Sequence, residues 1–70
     1  MPLNWSDAEE LGFVLNAAYP KTDPLSVRFT ELHRMVTALP GFADNPAACT
    51  EGALEAIQMA WAEARREGEE

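Results

Sequence analysis

The sequence predicts an all-α fold, a compact three-helix domain. Three observations carry that expectation. Apolar residues recur at i, i+3, i+4 and i+7 in three separate stretches. Pro20, Pro24, Pro40-Gly41 and Pro46 punctuate the chain between those stretches. The 70 residues are 47% hydrophobic, which is enough to pack one core and leaves room for one domain only. With short connections, three amphipathic helices must bury their stripes against each other. A turn followed by a helix in the middle of the chain is also compatible with a modified winged-helix-like arrangement, and periodicity alone does not separate the two. The domain is expected over residues 1–67, with residues 68–70 as a frayed tail.

The first helix is expected to begin at Ser6-Asp7-Ala8-Glu9, which has the spacing of a capping box. Asp7, Glu9 and Glu10 fall in its first turn, where the helix dipole favours negative charge. Leu11, Val14, Leu15 and Ala18 form its apolar stripe. Pro20 disfavours helical backbone at Tyr19 and ends it there. Asp23-Pro24 can cap a short helical turn with proline at its first position. Val27-Arg28-Phe29 is too short to classify and fits either an extended piece or that turn. The second helix is expected to start with Thr30 as N-cap. Its stripe is Leu32, Met35, Val36 and Leu39, and Pro40-Gly41 stops it. Residues Phe42 to Cys49 read as a loop, with Phe42 folded back on the core and a turn at Asn45-Pro46. The third helix starts near Thr50 or slightly earlier and buries Leu54, Ile57, Trp61 and Ala64, with Ala53 and Ala60 beside them. Glu51 and Glu55 share one flank at i and i+4. Arg65 and Arg66 fall near its C-terminus, where the dipole favours cations.

The formal net charge of −7, from 12 acidic and 5 basic side chains, weighs against several partners. Phosphate contacts need a surplus of Lys and Arg on one face, so no nucleic acid is expected. An anionic membrane surface is disfavoured on the same ground. A basic protein surface or a cation is the natural complement, and opposite charge would act mainly by steering encounter. Cys49 is the only cysteine, so no intramolecular disulfide forms. No signal peptide and no apolar run of roughly 20 residues is seen, and a cytoplasmic location is expected.

Signals for catalysis are weak. Cys49 and His33 are single copies, too few for a zinc site and without a motif that joins them as nucleophile and base. No glycine-rich phosphate loop is present. Asp7 with Glu10, and Glu51 with Glu55, can each offer oxygens to a hard divalent cation, but so open a site binds weakly. A solvated helix face accounts for these acids more simply. Trp5 fits a hydrophobic lid on the core or a partner contact. Trp61 belongs to the core. Arg28 either pairs with a carboxylate of its own fold or is offered to a partner.

Trp5-Ser6-Asp7, Tyr19-Pro20, Asp23-Pro24-x-x-Val27-Arg28-Phe29-Thr30-Glu31-Leu32-His33, Asn45-Pro46 and Leu54-Glu55-Ala56-Ile57 follow one another in that order. In these motifs, their spacing, its length and its acidity, the chain resembles the IscX family, small accessory proteins of bacterial iron–sulfur cluster assembly. The resemblance runs from about Asn4 to Trp61, and Asp23 to His33 is its most specific part. It implies a small helical fold likened to a modified winged helix and no enzymatic activity. The implied partner is the cysteine desulfurase that supplies sulfur, bound on a basic surface also used by frataxin. No tightly bound cofactor is implied, only ferrous iron held weakly by surface carboxylates. The carboxylates carried over are Asp7, Glu10, Glu31, Asp44 and Glu51. Trp5, Arg28 and His33 match the motif beside them, and Glu55 joins the partner-binding set. The free protein is expected to be a monomer.

The chain also departs from the family pattern. Lys21 stands where an Asp is usual, and Cys49 where a Ser is usual. The stretch Leu39 to Asn45 holds one acid, Asp44, where a denser acidic run is usual. This thinning weighs against iron more than against docking, because long-range steering survives losses that a coordination shell does not. The rival expectations are an iron-binding adaptor, a generic acidic interaction module, and a nucleic-acid-binding winged helix. The charge opposes the last, and a helix bearing Glu31, His33 and Arg34 is a poor groove reader.

Overall fold

The computed structural model describes residues 2–68. It contains helix α1 (Ala8–Ala18), helix α2 (Phe29–Thr37) and helix α3 (Glu51–Gly68). One short 3₁₀ turn, Pro24–Ser26, lies between α1 and α2, and a second, Pro46–Ala48, between α2 and α3. Among the described residues the only strand-like pairing is an isolated parallel bridge between Leu3 and Phe42. The chain is therefore the all-α three-helix domain its periodicity predicts. No helix among the described residues is long and apolar enough to cross a membrane. Helix α3 runs through Gly68, and residues 69 and 70 of the expected tail lie outside the described residues.

Two helix starts differ from expectation. The capping box at Ser6 does not form; Asp7 is the N-cap of α1 and makes no side-chain cap bond. The reason is local competition. Ser6 N–H donates to Asn4 Oδ1 at 2.9 Å, and Ser6 Oγ–H donates to the same oxygen. Asn4 N–H in turn donates to the Asp7 carboxylate at 3.0 Å. Side-chain bonds of this kind offer the backbone an alternative to the helix, and here they build a turn before it. Thr30 is likewise not the N-cap of α2. Val27 and Arg28 are extended, and Phe29 already opens the helix. Arg28 fills the cap position because its carbonyl accepts the first helical bond, from Leu32 N–H at 2.8 Å.

The other boundaries follow their residues. Helix α1 stops at Ala18, as Pro20 requires, and Tyr19 N–H closes it on the Leu15 carbonyl at 2.8 Å. Asp23 and Asn45 each cap a 3₁₀ turn that opens with proline: Asp23 Oδ1 accepts from Leu25 N–H at 3.1 Å, and Asn45 Oδ1 from Ala47 N–H at 3.0 Å. Thr50 caps α3, its Oγ1 accepting from Ala53 N–H at 3.1 Å. Gln58 ties the first turn to α3, its side-chain N–H groups donating to the carbonyls of Pro24 at 2.8 Å and Val27 at 3.3 Å.

The core is apolar throughout. Leu11, Leu15, Leu32, Val36, Ile57 and Trp61 are fully buried, and no charged side chain among the described residues is buried. The expected stripes supply most of it, although Val14 is only half-buried and Ala18 is exposed. Phe42 packs against the core as expected, and Leu3 and Trp5 join it from the N-terminal segment. The Trp61 indole N–H is buried with no hydrogen-bond partner among the described residues. Such a donor costs stability, which the large area the ring buries offsets.

The main packing contact is α1 on α3. It depends on Gly12. A Cβ there would lie 2.7 Å from the Ala60 carbonyl carbon and 2.7 Å from the Trp61 nitrogen, both backbone atoms that cannot rotate away. Helix propensity alone would favour alanine at this position by about 1 kcal/mol. We expect Gly12→Ala instead to destabilise the protein by about 1–3 kcal/mol, because the helices must part. Urea denaturation should show a lower midpoint with an unchanged slope. A raised midpoint would mean that the two backbones do not meet this closely.

Candidate docking surface

The N-terminal segment is strapped to the loop that follows α2. Leu3 N–H donates to the Gly41 carbonyl at 2.8 Å, and Ala43 N–H to the Leu3 carbonyl at 2.9 Å. Trp5 N–H donates to Asp44 Oδ2 at 3.2 Å, and Trp5 Nε1–H to the Asn45 carbonyl at 2.8 Å. The indole is 6% exposed, so Trp5 is the lid on the core rather than a surface contact. It acts on the surface through its neighbours. Its ring stacks on His33 with centroids 5.3 Å apart and meets Phe42 edge-on at 4.8 Å. His33 Nε2 lies 2.7 Å from the Pro46 carbonyl. A carbonyl only accepts, so Nε2 is the donor in this contact.

Beside His33 lies an open groove of about 480 Å³. Phe29, Thr30 and His33 of α2 form one wall, Pro46 and Ala47 the end, and Thr50, Glu51 and Leu54 the other wall. Two of the expected partner-binding residues, His33 and Glu51, therefore face one hollow. Cys49 lines it too. Burial pushes the Cys49 thiol up, and its S–H donates to the Thr50 carbonyl at 3.4 Å. A neutral, donating thiol is a poor nucleophile.

The five carboxylates carried over from the family pattern do not converge. Among the described residues, no three His, Cys, Asp or Glu side chains form a group that could hold a metal ion. Asp7 and Asp44 are occupied by backbone N–H groups, Asp44 accepting from both Trp5 and Asn45. Glu31 is exposed and lies 3.7 Å from Arg34, a solvated pair worth little. Glu10, Glu51 and Glu55 are exposed and make no ion pair among the described residues. Arg28, the N-cap of α2, is also exposed and makes no ion pair among the described residues. Of the expected residues, the structure joins Trp5 to Asp44 and to His33, and sets His33 and Glu51 on one groove.

Sequence reasoning missed Leu3, Gly12 and one contact of Asn45, on which this arrangement rests. Leu3 lies outside every periodic stretch. Asn45 contributes its backbone carbonyl, which composition cannot reveal. Gly12 carries no side chain for periodicity to count, although a glycine inside a helical pattern is itself a signal of close packing.

Comparison with known proteins places these features in a lineage. The model of the iron–sulphur cluster assembly family matches residues 3–66. An uncharacterized protein of Pseudomonas aeruginosa is 45% identical over 65 residues, which cover 93% of this chain and 98% of that protein.

The raised thiol makes a kinetic prediction. Below its pKa, Cys49 holds less thiolate than an unperturbed cysteine at the same pH. Iodoacetamide at pH 8 should therefore alkylate the native protein more slowly than the urea-unfolded chain. Equal rates would show that burial does not restrain the thiol.

Proposed function

Since the chain belongs to the IscX family of iron–sulphur cluster assembly proteins, we propose that it serves that process by docking on a basic surface of a cysteine desulfurase and modulating sulfur delivery. It acts by binding and not by catalysis. The observation that supports this most directly is charge: a net −7, with no charged side chain buried among the described residues and Glu10, Glu51 and Glu55 exposed and unpaired there. Such a surface raises the local concentration of a basic partner and speeds encounter. Arg28, His33 and the groove walls add contacts that charge alone does not supply. Ferrous iron has no part in this proposal, because scattered carboxylates give a hard cation too few ligands.

The test is a titration against the cysteine desulfurase of the same organism at low and moderate salt. Affinity should fall as salt rises, through the association rate. Glu51→Lys and Glu10→Lys should each slow association several-fold at low salt and converge on the parent protein at high salt. Both side chains are exposed in the first turn of a helix, so losing the dipole interaction should lower stability by about 1 kcal/mol at most. Affinity indifferent to salt, or to both reversals, would rule out electrostatic docking.

A further inference from the structure

Phe13 stands outside everything described so far. It lies on α1, yet 57% of its surface is exposed, on a helix whose other large apolar residues are buried or half-buried. A single exposed apolar residue on a convex surface needs no explanation. Phe13 is placed differently. It borders a crease of about 110 Å³ where α1 crosses α3, with Ala60 and Ala64 beneath and Glu9, Glu63 and Glu67 around it. All three glutamates are exposed and none has an ion-pair partner among the described residues. On α3 a second exposed apolar residue, Met59, immediately precedes Ala60 and stands one turn before Glu63.

We infer that this α1–α3 seam is a second docking surface, and that its occupant is a basic segment of a partner protein presenting one apolar side chain between Lys or Arg residues. The crease holds about one aliphatic side chain and is well below the roughly 300 Å³ at which small-molecule sites begin. The ring of glutamates selects the occupant's charge. It opposes a second copy of this chain, because two copies meeting here would set both glutamate triplets against each other. It opposes an anionic membrane for the same reason. A cationic segment with an apolar anchor satisfies both components at once, Phe13 and the alanine floor taking the anchor and the carboxylates its flanks. The surface is separate from the His33 groove, whose walls come from α2 and the start of α3, and the inference stands whichever protein that groove meets.

The experiment is an NMR titration of the ¹⁵N-labelled full chain with an amphipathic helical peptide of lysine and leucine, and with the same peptide carrying serine for every leucine. Amide shifts should centre on Phe13, Ala60 and Ala64. Phe13→Ala should weaken binding about tenfold, and so should replacing the leucines. Glu63→Gln combined with Glu67→Gln should weaken binding and flatten its salt dependence. Because Phe13 is exposed, its alanine variant should keep the parent's urea midpoint, which is measured alongside. The inference is overturned if Phe13→Ala binds as tightly as the parent, or if the two peptides bind alike. Shifts centred on His33 and Glu51 overturn it too, as does a peptide-free dimer that Phe13→Ala abolishes.

Discussion

Everything in this molecule hangs on a contact between two backbones. Where α1 crosses α3, the absence of a side chain at Gly12 lets the helices meet at the Ala60–Trp61 peptide. That closeness allows Leu11 and Leu15 to sink fully and Trp61 to be enclosed. Tyr19, at the end of α1, reaches the Trp61 ring at 6.4 Å. Helix α2 and the N-terminal segment then complete a core whose position the first pair has set. A domain of 70 residues buries only about 60% of the surface its unfolded chain exposes. Close-packed interiors transmit a displacement instead of absorbing it, and a core this thin has little elsewhere to relax.

Trp5 carries that dependence outward. Its indole belongs to the core, yet its two N–H groups hold Asp44 and Asn45, and its ring supports His33. His33 in turn is fastened to Pro46, the first residue of the turn that forms one end of the groove. The surface beside α2 is therefore positioned by a buried side chain and not by its own loop. Residues expected to form an interface and residues that hold the fold together are here partly the same residues.

The existence, order and apolar faces of the three helices were legible because each repeats a periodic pattern between proline punctuation. The proline-led turns were legible because Asp23 and Asn45 are short side chains able to cap their own backbone. What could not be read was competition. Ser6 has the right spacing to cap α1, but Asn4 reaches it first. Thr30 is a good cap residue placed two positions after the residue that fills the role. The carboxylates of the expected metal set do not gather among the described residues, for a related reason. Spacing along the chain says nothing of the backbone N–H groups that claim Asp7 and Asp44 once the N-terminal segment is strapped down. Leu3 and Gly12 became meaningful only through partners roughly 40 or more residues away, beyond the reach of any local pattern.

The charge-free interior has a consequence for how such a protein can change over generations. No charged side chain is buried among the described residues, so the surface charges can vary largely apart from the core. Exchanging one surface charge for another leaves the core's energetics almost untouched. A lineage can therefore vary its surface charges, or set an aromatic such as Phe13 on an outer face, without first acquiring compensating changes inside. Evolution can retune what this small scaffold meets far more freely than how it is built.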